Sequence, residues 1–97
     1  DLRNTRVIDI VRELGEYNTQ VDVYDPWISS SEAETEYGVL PVDEPKKGVY
    51  DAVIIAVGHQ QFKAMGMENI RKLGKNDGHL VCDLKYLFPA DQSDIRL

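Results

Sequence analysis

Three polar residues near the start of the chain, Arg3, Asn4 and Thr5, directly precede a stretch with the periodicity of an amphipathic helix. The first turn of a helix presents unpaired N–H groups and the positive end of the helix dipole, so this position favours anions. A guanidinium there could hold a phosphate through two parallel hydrogen bonds. The alternatives are that Arg3 pairs with Asp1 or another nearby acid, and that Asn4 and Thr5 only cap the helix.

A second group of polar residues follows two strongly apolar runs. His59 comes just after the run at 51–57, and Asp83 and Lys85 lie at the end of the run at 79–84. Open α/β sheets bind ligands beyond the carboxyl ends of their strands, so His59 and Lys85 are candidates to line a cleft. The alternative for His59 is a loop histidine bonded to nearby backbone. Asp83 and Lys85 could also pair with each other or with a partner domain.

Three further residues have chemically capable side chains but suggest structural roles. Asp25 stands where a dinucleotide fold places its ribose-binding acid, but the sequence has no G-x-G-x-x-G, so we predict that Asp25 sets the turn before Pro26. Cys82 lies inside an apolar run and is predicted to be a small buried residue rather than a nucleophile. His79 is predicted to be exposed, and two separated histidines with one cysteine indicate no metal site.

The elements that must position these residues alternate between helix and strand. Strands are predicted at 21–24, 51–57 and 79–84, and helices at 4–15, from 29–31 to 37–38, at 60–66 and at 67–73. Gly15 and Gly74 are expected to end the first and last helices. The segment at 39–50 is predicted to be irregular or at most an edge strand, and 85–97 to be a tail.

This alternation predicts a three-layer, Rossmann-like α/β sandwich with a mostly parallel sheet. The run at 51–57 lacks polar alternation, so helices are expected to cover both of its faces. No strand precedes the first helix. We therefore expect that the chain starts within a β-to-α loop and that the first strand of the fold is missing from it.

Composition narrows the class of protein. The chain has 97 residues, 42% of them hydrophobic, which is enough for one small domain with a core. A net charge of -6 argues against a nucleic-acid partner, and no apolar run approaches the roughly 18 residues of a membrane span, so no membrane partner is expected. A single cysteine cannot form an internal disulfide, which is typical of a cytoplasmic protein.

Four short motifs occur in a distinctive order. They are Asp-x-Arg-x-Thr at 1–5, Val-Tyr-Asp-Pro at 23–26, Tyr-Asp-Ala-Val-Ile-Ile-Ala-Val at 50–57 and Cys-Asp-Leu-Lys at 82–85. Together, over nearly the whole chain, they resemble the C-terminal, UDP-binding domain of the UDP-glucose/GDP-mannose dehydrogenase family. Gly-His-Gln-Gln-Phe at 58–62 is more similar to the branch that oxidises UDP-N-acetylhexosamines, because the other branches carry Thr-Glu-Trp there.

The resemblance implies a specific function. Such enzymes oxidise the C6 hydroxymethyl group of a UDP-hexose or UDP-N-acetylhexosamine to a carboxylate, for surface polysaccharide precursors, with two NAD and a thioester on a catalytic cysteine. The NAD loop and that cysteine belong to other domains, so residues 1–97 would be the nucleotide-clamping domain, inactive alone. Arg3, with Asn4 and Thr5, would contact UDP. The implied partners are the UDP-sugar substrate, the remaining domains and a second subunit, since the family is usually dimeric.

Two other hypotheses remain open from the residues alone. One is a flavodoxin-like signalling module of the receiver type, which requires a phospho-accepting aspartate at the end of the central strand. Here that strand ends in Ala-Val-Gly-His at 56–59, without an acid. The other is a non-catalytic oligomerisation module, which no feature of the sequence excludes.

Overall fold

The computed structural model describes residues 5–26 and 41–96, apart from the side chains of Thr5 and Arg6. The chain divides into two compact units, Asp1–Pro45 and Lys46–Leu97. The predicted helix that starts at 29–31, and the start of the irregular segment at 39–40, lie outside the described residues.

The first unit contains helix α1, Thr5–Glu16. Its apolar positions repeat at helical spacing, and Val7 and Val11 are buried while Asp9 and Arg12 are exposed. The amphipathic helix is therefore confirmed, within a residue at each predicted end.

The end of α1 differs from the prediction. Gly15 lies inside the helix, and the chain leaves it through Asn18, whose φ of 58° is left-handed. The Asn18 N–H donates to the Gly15 carbonyl oxygen at 3.3 Å. Asparagine tolerates this conformation, so it ends the helix in the way expected of the glycine.

The strand predicted at 21–24 is wrong for these residues, because the structure assigns them no strand. The Val42 N–H donates to the Val23 carbonyl oxygen at 2.9 Å, which is one hydrogen bond and not a ladder. Alternation of side chains favours a strand only where a neighbouring strand can pair with it.

The second unit is a β–α–β arrangement. Strand β1, Ala52–Ile55, is followed by helix α2, Gln60–Arg71, and by strand β2, Leu80–Asp83. The two strands are parallel, with Ala52 opposite Leu80 and Ile55 opposite Asp83. The α/β class with a parallel sheet is confirmed.

Helix α2 is interrupted where the sequence predicts two short helices. Gly66 has φ 79° and ψ 150°, which are far from helical values. Side chains are rarely tolerated there, whereas glycine adopts this conformation without a steric penalty. The last turn ends at Lys72 rather than Gly74.

The core of this unit lies on one face of the sheet. Met67 and Ile70 of α2 pack with Ile55, Val81 and Phe88. The opposite face is less covered, since Leu80 remains 51% exposed. Within the described part of this unit, only Ile55 of β1 is buried, and α2 is the one α-helix.

The segment predicted to be a tail returns to the sheet. After a short 3₁₀ turn at Ala90–Gln92, Ile95 forms a parallel bridge with Cys82 on the free edge of β2. The Asp83 N–H donates to the Ile95 carbonyl oxygen at 2.9 Å. Tyr50 forms a second isolated bridge, with Gly74. The segment at 41–50, which ends at Tyr50, is otherwise irregular, as predicted.

Candidate functional site

The predicted anion site at the start of α1 falls largely outside the described residues. Arg3 and Asn4 precede them, and Thr5 begins the helix with a side chain that is not described. The helix N-terminus itself is where the sequence places it. Contacts from these three residues to a nucleotide therefore remain predictions.

The carboxyl edge of the sheet brings together the second group of candidates. Because β1 and β2 run parallel in register, Gly58 and His59 after β1 lie at the same edge as Lys85 after β2. A Cβ atom placed on Gly58 would lie 4.0 Å from the Cβ atom of Lys85. Lys85 is exposed, so its ammonium group is available to an anion at this edge.

His59 has a clear local role at this edge. It is half-buried and stands immediately before α2 in an extended conformation, and its carbonyl oxygen accepts the Phe62 N–H at 3.1 Å and the Lys63 N–H at 3.3 Å. Its ring lies against that of Phe62, with 5.5 Å between centroids and a tilt of 43°. His59 thus starts the helix through its backbone, while its ring packs on the first turn.

Asp83 is the most buried polar residue described, with no exposed side-chain surface. It lies on the core face of β2, and its carboxylate accepts the backbone N–H groups of Lys85, Leu87 and Phe88 at 3.3, 3.1 and 3.0 Å. The sequence suggested that Asp83 pairs with Lys85 or with a partner domain. With three backbone donors, the Asp83 carboxylate needs neither pairing. An aspartate directly before a loop is the signal that could have indicated this backbone-binding role.

A separate polar cluster lies at the other end of β2. The Arg71 guanidinium binds the Asp94 carboxylate at 3.2 Å and the Gln92 carbonyl oxygen at 2.9 Å. Asp94 also accepts the Val81 N–H at 2.8 Å. The hydrogen bond from the Val81 N–H, and then the hydrogen bond and charge of Arg71, hold the pKa of Asp94 below its usual value. The cluster joins α2, β2 and the returning segment, which indicates a structural role.

His79 belongs to that cluster, so the prediction that it is exposed is wrong. It is half-buried, with Nδ1 2.9 Å from the Lys75 carbonyl oxygen and Nε2 3.4 Å from Arg71 Nη1. A carbonyl only accepts and a guanidinium only donates, so this geometry assigns the proton to Nδ1 and leaves Nε2 as an acceptor. The ring also packs over Gly74, where a Cβ atom would overlap it.

The remaining candidates are Cys82 and Asp25. Cys82 is a free, half-buried thiol, and burial, with a smaller contribution from the Asp83 charge, raises its pKa. Asp25 is buried beside the turn at Pro26, and its role in setting that turn stays a prediction. Within 5–26 and 41–96, no group of three or more His, Cys, Asp or Glu side chains could hold a metal ion. The helices described in these ranges are too short or too polar to cross a bilayer.

Comparison with known proteins places this sequence in a family. Residues 1–90 match the model of the UDP-glucose/GDP-mannose dehydrogenase family, UDP binding domain. Over its whole length the chain is 59% identical to the UDP-N-acetyl-D-glucosamine 6-dehydrogenase of Salmonella typhi and 62% identical to that of Pseudomonas aeruginosa, in each case covering 23% of the relative. It is also 35% identical to Protein CapL of Staphylococcus aureus, in a match that covers 98% of this chain and 22% of that protein.

No solved structure gives a significant match. The chain spans about a quarter of the length of the curated relatives it matches. The family predicted from the four motifs is confirmed, and the names of the first two relatives agree with the branch indicated by residues 58–62. The chain belongs to the UDP-glucose/GDP-mannose dehydrogenase family, in the part that its model describes as the UDP binding domain.

Proposed function

We propose that residues 1–97 form the UDP-binding domain of an NAD-dependent UDP-sugar 6-dehydrogenase, with UDP-N-acetyl-D-glucosamine as its substrate. The observation that carries the proposal is the identity of 59–62% to two enzymes of that name, which extends over every part of the chain. The same match favours this hypothesis over a receiver module or an oligomerisation module.

The sheet edge supplies chemistry that suits a nucleotide. Lys85 is exposed and its Cβ atom lies next to Gly58, whose lack of a side chain leaves room for a ligand to approach the backbone. Phosphates bind best where cationic groups and backbone N–H groups converge. In this proposal Arg3, Asn4 and Thr5 contact UDP, and Lys85 and His59 line a cleft at the sheet edge.

The residues of this chain do not fit NAD. The loop from β1 to α2, at 56–59, contains one glycine, and the G-x-G-x-x-G turn that brings backbone close to a pyrophosphate occurs nowhere in the sequence. We therefore propose that NAD, which accepts the electrons of the oxidation, binds mainly to another domain of the whole enzyme. This chain would contribute substrate binding and orientation, and it would form a homodimer together with the rest of the enzyme.

The first experiment measures NADH formation by the full-length enzyme that carries this chain. We expect two NADH per UDP-N-acetyl-D-glucosamine oxidised, and a lower kcat/KM for UDP-glucose. Absence of NADH formation with every UDP-sugar tested would contradict the proposal.

The same assay tests the anion site with Arg3→Ala. Loss of a charge-assisted hydrogen bond of about 1.5–3 kcal/mol corresponds to a KM raised roughly 10- to 150-fold. Arg12→Ala is the matched control, because Arg12 is an exposed arginine on the same helix. An unchanged KM in Arg3→Ala would remove Arg3 from the site.

A further inference from the structure

The turn that follows β2, at residues 83–88, is organised around one buried carboxylate. Asp83 has no exposed side-chain surface and accepts three backbone N–H groups from the turn, those of Lys85, Leu87 and Phe88. A buried carboxylate is costly unless such donors surround it, and bonds of this kind are stronger than neutral ones. The side chain and the path of the loop therefore stabilise each other.

The backbone of the turn adopts a conformation that a flexible loop would avoid. Tyr86, in its middle, has a φ of 52°, which is unfavourable for a bulky side chain. Such a residue persists where its surroundings impose it, often at functional sites. Here the bonds to Asp83 hold the residues on both sides of it. In addition, the Arg96 guanidinium lies over the Tyr86 ring, 4.1 Å from its centroid.

The turn also determines where Lys85 stands. Its N–H is bonded to Asp83, and its Cβ atom lies 4.0 Å from the position of a Cβ atom on Gly58. Because a lysine side chain is long and flexible, the placement of its backbone limits which part of the sheet edge the ammonium can reach. Any loosening of the turn would spread that ammonium over more positions.

We propose that Asp83 is a positioning residue, whose buried carboxylate holds the strained 83–88 turn and so fixes Lys85 at the carboxyl edge for contact with a phosphate of the nucleotide. This inference rests on the proposed function, because it takes the nucleotide as the ligand. Asp83 itself lies in the core and acts through Lys85 rather than on the substrate.

The test uses the full-length enzyme with UDP-N-acetyl-D-glucosamine and the variants Asp83→Asn, Lys85→Met and their combination. Asparagine keeps the shape of the side chain but turns one acceptor oxygen into a donor that faces an N–H group. We expect each single variant to raise KM about tenfold with kcat within about twofold. The double variant should raise KM no more than the larger single change, because both act through one contact.

Asp94→Asn is the matched control. Asp94 also accepts a backbone N–H of β2, from Val81 at 2.8 Å, but at the other end of the strand. We expect it to lower the unfolding temperature and leave KM unchanged. The proposal would be overturned if Asp94→Asn raised KM as much as Asp83→Asn. It would also be overturned if the double variant raised KM by the product of the increases in Asp83→Asn and Lys85→Met.

Should Asp83→Asn fail to fold, Tyr86→Gly carries the test. It removes the ring that lies under the Arg96 guanidinium and gives position 86 the greater backbone freedom of glycine, while the buried carboxylate stays in place. We expect Tyr86→Gly to raise KM by less than Asp83→Asn would, and adding Lys85→Met should raise KM no further than Lys85→Met alone. An unchanged KM in Tyr86→Gly would overturn the proposal. Wild-type enzyme that oxidises no UDP-sugar would refute the proposed function instead, so the two failures are distinguishable.

Discussion

Individual side chains in this chain acquire their roles from their surroundings rather than from their type. Cys82 and Asp83 are neighbours on β2 and point to opposite faces of the sheet, since successive side chains of a strand alternate. Asp83 reaches the core and binds the backbone of the next turn, whereas Cys82 lies on the less covered face with a raised pKa. The acid is therefore structural, and the thiol is poorly suited to act as a nucleophile.

Replacing Cys82 tests this assignment. A thiol whose pKa is raised by burial forms little thiolate at neutral pH, so Cys82→Ala should leave kcat of the full-length enzyme within about twofold of wild type. NADH formation measures kcat, and alkylation by iodoacetamide at neutral pH should label Cys82 slowly. A loss of turnover of a hundredfold or more, in a variant that remains folded, would instead place Cys82 in the chemistry.

At the scale of elements, helix α2 shows how a single glycine divides a helix without ending it. The half after Gly66 carries Met67 and Ile70 into the core, and Gly66 itself, between 60–65 and 67–71, takes a conformation outside the helical region. The position is open, since a Cβ atom there would meet nothing within 4 Å. Backbone conformation and not space therefore requires the glycine at 66.

Two glycine-to-alanine variants separate these effects. Gly66→Ala forces a side chain into a region that glycine alone adopts readily, so we expect a loss of about 1–3 kcal/mol in the free energy of unfolding. Gly15→Ala, inside α1 and also with nothing within 4 Å, should stabilise by about 0.5–1 kcal/mol. Urea denaturation measures both, and a stabilised Gly66→Ala variant would contradict the assigned conformation.

At the scale of the whole molecule, residues far apart in sequence are tied together in the unit formed by Lys46–Leu97. The returning segment pairs with β2 at Ile95, and Asp94 joins it to Val81 and Arg71. These bonds connect α2, β2 and the segment at 90–95. Stability of this unit should therefore respond to the ionisation of Asp94.

The expected pH dependence follows from the direction of that pKa. Asp94 has a lowered pKa when folded, so near pH 4 the unfolded chain binds more protons and stability rises with pH. The contribution is present above about pH 4 and is lost as pH falls through the folded pKa. Urea midpoints from pH 7 to pH 2 should fall less steeply for Asp94→Asn than for wild type.

Asp91→Asn controls for the change in net charge, because Asp91 is an exposed acid in the adjoining 3₁₀ turn. Its midpoint curve should follow that of wild type. If the urea midpoints of Asp94→Asn and wild type fell equally steeply with pH, the hydrogen bonds and ion pair of Asp94 would not stabilise the fold.

Much of the architecture was determined by local patterns in the sequence. The apolar period of α1, the break at Gly66 and the two apolar runs that become β1 and β2 depend on neighbours a few residues apart, and these predictions hold. The four ordered motifs identified the family for a related reason, since a domain's motifs keep their spacing when its fold is retained.

The tertiary structure alone decided which groups meet across long stretches of chain. The residues at 21–24 form no strand, because no strand among the described residues pairs with them. His79 contacts Lys75 and Arg71, and Ile95 pairs with the free edge of β2. The burial of Asp83 under the N–H groups of its own turn likewise needed the completed core. The local periodicity of the sequence determines which face of a helix or strand a side chain lies on. Residues distant in sequence come into contact only when the helices and strands pack together.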